Sequence, residues 1–198
     1  MIALLDPRLK RLSLQKDDLP AKENLDQLPT YEVFVQVKEP RPFKHEGCVH
    51  ASTPTMALVF AKEQYSRRGT CSGIWVVATK DIMVTGYSDN ATDIYGRFTE
   101  TANCQGDEYS IFHMVKRGTQ HSFAGVVKAA SPQAALACAG KTLPRKKPVL
   151  NVWLTKTANI LKTTEEDKAM WATTPEKLFR EAIDYKTQEK IKAFKENH

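Results

Sequence analysis

Residues 31–85 recur, without a gap, as residues 109–163. At this offset of 78, sixteen of the 55 pairs are identical. Chance pairing at ordinary residue frequencies would give roughly three. The identities include Tyr31/Tyr109, Phe34/Phe112, Gly47/Gly125, Pro54/Pro132, Trp75/Trp153 and Thr85/Thr163. A duplicated segment folds as one unit made twice, so the problem reduces to that unit and to how two of them pack.

Each copy reads alike. Residues 31–37 and 109–115 alternate apolar and polar side chains, the pattern of a half-buried strand. A polar turn follows, then a second strand through residues 47–51 or 125–129. Thr53-Pro54 and Ser131-Pro132 announce a helix, with a capping hydroxyl and then proline in the first turn. Met56, Ala57, Phe60, Ala61 and Tyr65 recur at helical spacing and read as a core-facing stripe. Gly69 is a candidate stop for the first helix, and Pro144 ends the second one earlier. A third strand holds residues 74–77 or 152–154. The expected class is α+β: two tandem β-β-α-β units, each a small antiparallel sheet with one helix. A unit of this size buries too little surface to be secure alone. Pairing of the copies about a pseudo-two-fold axis is therefore expected.

Three segments flank the units. Residues 1–30 form an N-terminal arm. Residues 86–108, with five acids and one base, read as an acidic linker. Residues 164–198 read as a C-terminal helical tail: Thr174-Pro175-Glu176 starts it, and Leu178, Phe179, Ala182, Ile183, Ile191 and Phe194 form a partial apolar stripe. Such a helix either covers the protein's own sheet or reaches a partner.

The net charge of +6 is unevenly spread. Residues 109–163 hold nine Lys or Arg and no Asp or Glu. Three explanations stand side by side: a solvated surface neutralised by the acidic linker, docking to an acidic protein, or phosphate binding. The second copy has no aromatic-rich strand to stack bases, so nucleic acid is the weaker alternative.

Motifs for chemistry are missing. There is no Glu-x-x-His, HExxH, GxGxxG, Walker loop or GxSxG in the chain. Cys48, Cys71, Cys104 and Cys138 have no CxxC spacing and read as reduced, partly buried thiols. No apolar run approaches the length of a membrane span, and a cytoplasmic protein is expected.

The first copy carries Tyr31-Glu-Val-Phe34, Gly47, His50-Ala51, Met56-Ala57-Leu58, Ala61, Tyr65-Ser-Arg67-Arg68 and Ile74-Trp75-Val76-Val77. In this order the set resembles the PaaB family, a component of the multicomponent phenylacetyl-CoA epoxidase of bacterial phenylacetate degradation. The usual member is one copy, of roughly half this length; here two are fused. The resemblance implies a non-catalytic accessory subunit that binds no cofactor itself. Its partners would be a ferritin-like catalytic subunit, holding the di-iron site and the CoA thioester, and a related structural subunit. A reductase drawing on NADPH would be a further partner. Candidate contacts to partners are Tyr31, Phe34, His50, Arg67, Arg68 and Trp75 in copy one, and Lys128, Arg145, Lys146, Lys147 and Trp153 in copy two. For Trp75 and Trp153 the competing reading is core packing; for Arg67 and Arg68 it is a helix C-terminus, which favours positive charge. For His50 it is a hydrogen-bonded strand residue.

Overall fold

The computed structural model describes residues 27–66, 71–88, 92–98, 104–172 and 187–197. Copy one consists of β1 (Thr30–Gln36), β2 (Lys44–His50), α1 (Pro54–Tyr65), β3 (Gly73–Ala78) and the two-residue β4 (Met83–Val84). Copy two matches it with β5 (Asp107–Met114), β6 (Ser122–Ala129), α2 (Pro132–Thr142), β7 (Asn151–Lys156) and β8 (Leu161–Lys162). Two short helices follow, α3 (Ala169–Ala172) and α4 (Thr187–Glu196). No helix among the described residues is long and apolar enough to cross a membrane.

The capping chemistry is duplicated. Thr53 Oγ1 accepts from Met56 N, and Ser131 Oγ accepts from Ala134 N, both at 3.2 Å. Such a cap contributes about 1 kcal/mol. Gly47 and Gly125 take φ values of +150° and +152°. A Cβ there would stand 2.3 Å from Tyr65 Oη or 2.7 Å from Leu143 Cδ2. Both glycines are therefore where the side chain at the helix end closes onto the second strand. Helix α1 stops at Tyr65, where the Ser66 N–H and hydroxyl both bond the Lys62 carbonyl; Gly69 lies outside the described residues. Helix α2 ends at Thr142, one residue earlier in the repeat, with Pro144 just beyond.

The eight strands form one hydrogen-bonded sheet in the order β4-β7-β5-β6-β2-β1-β3-β8. That order is unchanged when each copy is exchanged for the other, the signature of a pseudo-two-fold axis. The axis passes between β2 and β6, which pair only at Lys44 and Ser122. His45 N donates to His121 O and Phe123 N to Phe43 O, so the junction obeys the same symmetry. Each copy also lends its last strand to the other. Strand β4 pairs with β7, and β8 with β3. The repeated threonines close this exchange. Thr163 Oγ1 accepts from Ile74 N at 3.0 Å, and Thr85 Oγ1 accepts from Val152 N at 2.9 Å.

The sheet folds over at the junction. Phe34 on β1 and Phe112 on β5 are three strand steps apart, roughly 14 Å in a flat sheet. Their rings nevertheless stack at 4.2 Å. Each half-sheet thus buries one face under its own helix and the other against its twin. Three cores result: one beneath α1, one beneath α2, and an aromatic layer between the half-sheets.

Two expectations need correction. The buried face of α1 is Ala57, Leu58, Ala61 and Lys62, while Met56 and Phe60 are exposed. This helix is apolar on nearly every side, so spacing alone could not choose the face. The cysteines are not all reduced: Cys104 and Cys138 form a disulfide with Cα atoms 5.8 Å apart. The exchange of β4 carries the following chain across α2 and brings the two together. Of the free thiols, Cys48 is exposed and Cys71 half-buried.

Segment 86–108 is more than a spacer. Ile94 and Tyr95 are buried in the copy-two core, and Tyr95 packs against Gly140 of α2. The tail answers in kind at its start. Trp171 is buried in the copy-one core, its Nε1 donating to Ser66 Oγ at 2.9 Å. Ile191 and Phe194 of α4 are exposed. Residues 1–26 of the arm and the stripe from Leu178 to Ile183 lie outside the described residues.

Candidate docking surface

The sheet interior accounts for the aromatic candidates. Tyr31 is buried in the copy-one core, and Phe34 and Trp75 in the layer between the copies. Trp153 is half-buried against that layer. Phe34, Trp75 and Trp153 join one half of the molecule to the other, whereas Tyr31 packs beneath α1. The layer is symmetric in shape and asymmetric in chemistry. Trp75 stacks on Phe43 at 3.8 Å and meets Phe123 edge-on at 5.0 Å. Trp153 stacks on His121 at 4.2 Å and meets His45 edge-on at 4.8 Å. Phe43/His121 and His45/Phe123 are equivalent positions of the repeat, so the fusion gathers both histidines around one tryptophan.

Both histidines have partners. His45 Nε2 lies 2.7 Å from Glu32 Oε2, and His121 Nε2 lies 2.7 Å from Asn151 Oδ1. Burial would raise the Glu32 carboxyl, but hydrogen bonds from His45 and Thr79 outweigh it and hold the group below its ordinary range. Burial also lowers the His121 pKa.

The exterior candidates fall on different surfaces. His50 is exposed on β2, with Nδ1 3.1 Å from Thr30 Oγ1. Arg67 and Arg68 lie outside the described residues. Lys128 is exposed and 3.7 Å from Glu108. Arg145 is anchored: Nε is 3.1 Å from Asp93 Oδ2, Nη1 donates to the Gly140 carbonyl, and the guanidinium lies over the Tyr95 ring. Lys156 pairs with Asp107. Three of the nine cations of copy two are thus neutralised by acids of segment 86–108. No carboxylate among the described residues is within ion-pair reach of Lys146 or Lys147.

Beside these lysines the surface is concave. An open groove of about 600 Å³ includes Lys44, His113, Val115 and Pro144. A second hollow of about 240 Å³ shares His113, Val115 and Pro144 and adds Arg145, Lys146 and Lys147. Every ionisable side chain in the two walls is basic or a histidine. Glu46 stands at the rim, accepting from Gln120 Nε2 at 2.9 Å. His113 is 9 % exposed, and its Nε2 lies 2.7 Å from Tyr95 Oη. Burial, with Arg145 nearby, brings its pKa down to about 4, so the imidazole is neutral at pH 7. Burial pushes the Tyr95 hydroxyl well above its ordinary value. Reasoning from sequence missed His113 and Tyr95. The signal was in the repeat: His113 stands where copy one has Val35, a polar group at a core position.

The groove offers fixed positive charge over an aliphatic floor, a surface for holding an anionic group. Among the described residues no group of three His, Cys, Asp or Glu is arranged to hold a metal ion.

Comparison with known proteins follows the repeat. The family described as Phenylacetic acid degradation B, PaaB, matches the chain twice, at residues 27–101 and 106–192. The PaaB-type subunit of the 1,2-phenylacetyl-CoA epoxidase of Escherichia coli strain K12 is 31 % identical over 93 residues. That stretch is 47 % of this chain and 93 % of the relative, so the relative is about as long as one copy. No solved structure matches the chain.

Proposed function

The chain belongs to the PaaB family, and on that footing we propose that it is a non-catalytic bridging subunit of a multicomponent di-iron epoxidase acting on an aromatic acyl-CoA. In this reading it takes part in phenylacetate degradation or a close variant of it. Its partners are a ferritin-like catalytic subunit, which holds the iron and the thioester, and a related structural subunit. A reductase drawing on NADPH serves the complex. The chain itself supplies no reacting group.

The observation that supports this reading is the reciprocal strand exchange. It welds two family units into one body with two related outer surfaces. A one-copy relative can offer two such surfaces only by pairing with a second chain; here one chain carries both. The surfaces are free to diverge, and copy two has done so by losing every acidic residue. His50, Arg67 and Arg68 on copy one, and Lys128, Arg145, Lys146 and Lys147 on copy two, are the proposed contacts.

Affinity purification from the native cell at moderate salt, with mass spectrometry and iron analysis, tests this. The expected result is ferritin-like subunits in the eluate, with iron in the complex and none in the isolated chain. Recovery of the chain alone, or with RNA, would overturn it.

A further inference from the structure

We propose that the groove formed by Lys44, His113, Val115, Pro144, Lys146 and Lys147 on copy two receives an acidic, partly apolar peptide segment of a partner protein, once per chain. The proposal rests on the bridging reading and adds to it the chemistry of one contact and its asymmetry.

Charge complementarity argues for this occupant. Lys44 lines one hollow and Lys146 and Lys147 line the adjoining one; the two share His113, Val115 and Pro144, and neither wall holds a carboxylate. The third cation of the loop, Arg145, is already committed to Asp93 and the Gly140 carbonyl. It fixes the loop and leaves the next two lysines to face outward. The floor between the charges is aliphatic, from Val115 and Pro144, and Val115 is 45 % exposed. A ligand with carboxylates alone would leave that floor wet; one that interleaves Asp or Glu with Leu or Val would cover it. His113 is neutral and tied to Tyr95, so the positive charge of the groove is that of the lysines.

A nucleic acid fits less well. Phe123 in the wall is held edge-on by Trp75 and Phe112 in the layer between the copies, and the groove has no row of aromatic side chains on which successive bases could stack.

Copy one lacks the same site. At the positions of Arg117 and Ala124 it carries Glu39 and Glu46. At the position of Pro144 it has Ser66, which binds the Trp171 indole. The mate positions are thus mixed in charge, with Glu39 and Glu46 as well as Arg41, Arg67 and Arg68, and they lack the counterpart of Lys147, which is Gly69. This asymmetry is how the fused chain can treat two related partners differently.

The probe is a short fluorescein-labelled peptide alternating Glu and Leu, titrated by fluorescence anisotropy into the full-length chain. The expected result is salt-sensitive binding that weakens about ten-fold or more in Lys146→Glu/Lys147→Glu. The charge-matched control Lys80→Glu/Lys192→Glu should change it by less than about two-fold. Equal loss in both variants, no binding by the wild type, or preferential groove-dependent binding of a single-stranded RNA competitor would each overturn the proposal. Purification from the native cell separates the two levels. If wild type and Lys146→Glu/Lys147→Glu recover the oxygenase subunits in the same ratio, the groove assignment fails and bridging stands. If wild type recovers none, bridging itself fails.

Discussion

Truncating Phe34 to alanine probes the joint between the copies. The side chain is completely buried, stacked on Phe112 at 4.2 Å and edge-on to Trp153 at 6.5 Å, both in copy two. Its remaining ring contact is His45 at 5.4 Å. Removing a buried phenylalanine costs about 3–5 kcal/mol in lost transfer energy and residual cavity. That is a large part of the roughly 5–15 kcal/mol by which domains are stable. With a urea dependence of about 2 kcal/mol per molar, the unfolding midpoint should fall by about 2 M. The informative point is which copy responds. Single-tryptophan backgrounds report separately, Trp75 for copy one and Trp153 for copy two. Because the half-sheets share the aromatic layer and exchange strands, both probes should shift together in one transition. If Phe34→Ala moved only the Trp75 signal and left the Trp153 midpoint in place, the single folded body would be wrong. Should the variant not fold, the milder Phe34→Leu applies the same test.

Other outcomes follow from single contacts. Thr85→Val and Thr163→Val each strip the acceptor from a strand N–H, of Val152 or Ile74; each should lower stability by about 1–3 kcal/mol in urea unfolding. Alkylation of the denatured, unreduced protein should label Cys48 and Cys71 only, with Cys104 and Cys138 added after reduction; reduction should cost about 2–4 kcal/mol. His113 has a folded pKa near 4, below its value of 6.5 when unfolded, so the unfolded chain binds the extra proton first as pH falls. Its contribution is complete above pH 6.5 and is lost toward pH 4, by about 3 kcal/mol. Thermal unfolding across that window should show the slope, and His113→Val, the residue copy one has there, should flatten it.

Much of this architecture is legible in the sequence because the repeat states it twice. Thr53-Pro54 and Ser131-Pro132 mark both helix starts, and Tyr31 to Val35 alternates as a strand half covered by a helix. The shared Thr85/Thr163 identity lies past the last readable strand and reports the exchange, but two-residue strands have no period to read. The face of α1 was hidden by a helix whose Met56, Val59 and Phe60 are as apolar as its core side. The disulfide was hidden because its partners, 34 residues apart, meet only through the crossing of the chain over α2. In the site, the acid-free stretch pointed to copy two and to Lys146 and Lys147. For Trp75 and Trp153 the sequence leaves partner contact and core packing side by side; the structure packs both, with Phe34, between the copies, and Tyr31 beneath α1. Large buried aromatics serve both roles, and only the fold distinguishes them.

The central claim is that one chain carries two bridging surfaces. The most direct measurement is the mass, by sedimentation equilibrium, of the complex formed when the ferritin-like catalytic and structural pair is titrated to saturation against the chain. The account predicts one chain with two such pairs. Saturation at one pair per chain, or no complex at all, would contradict it.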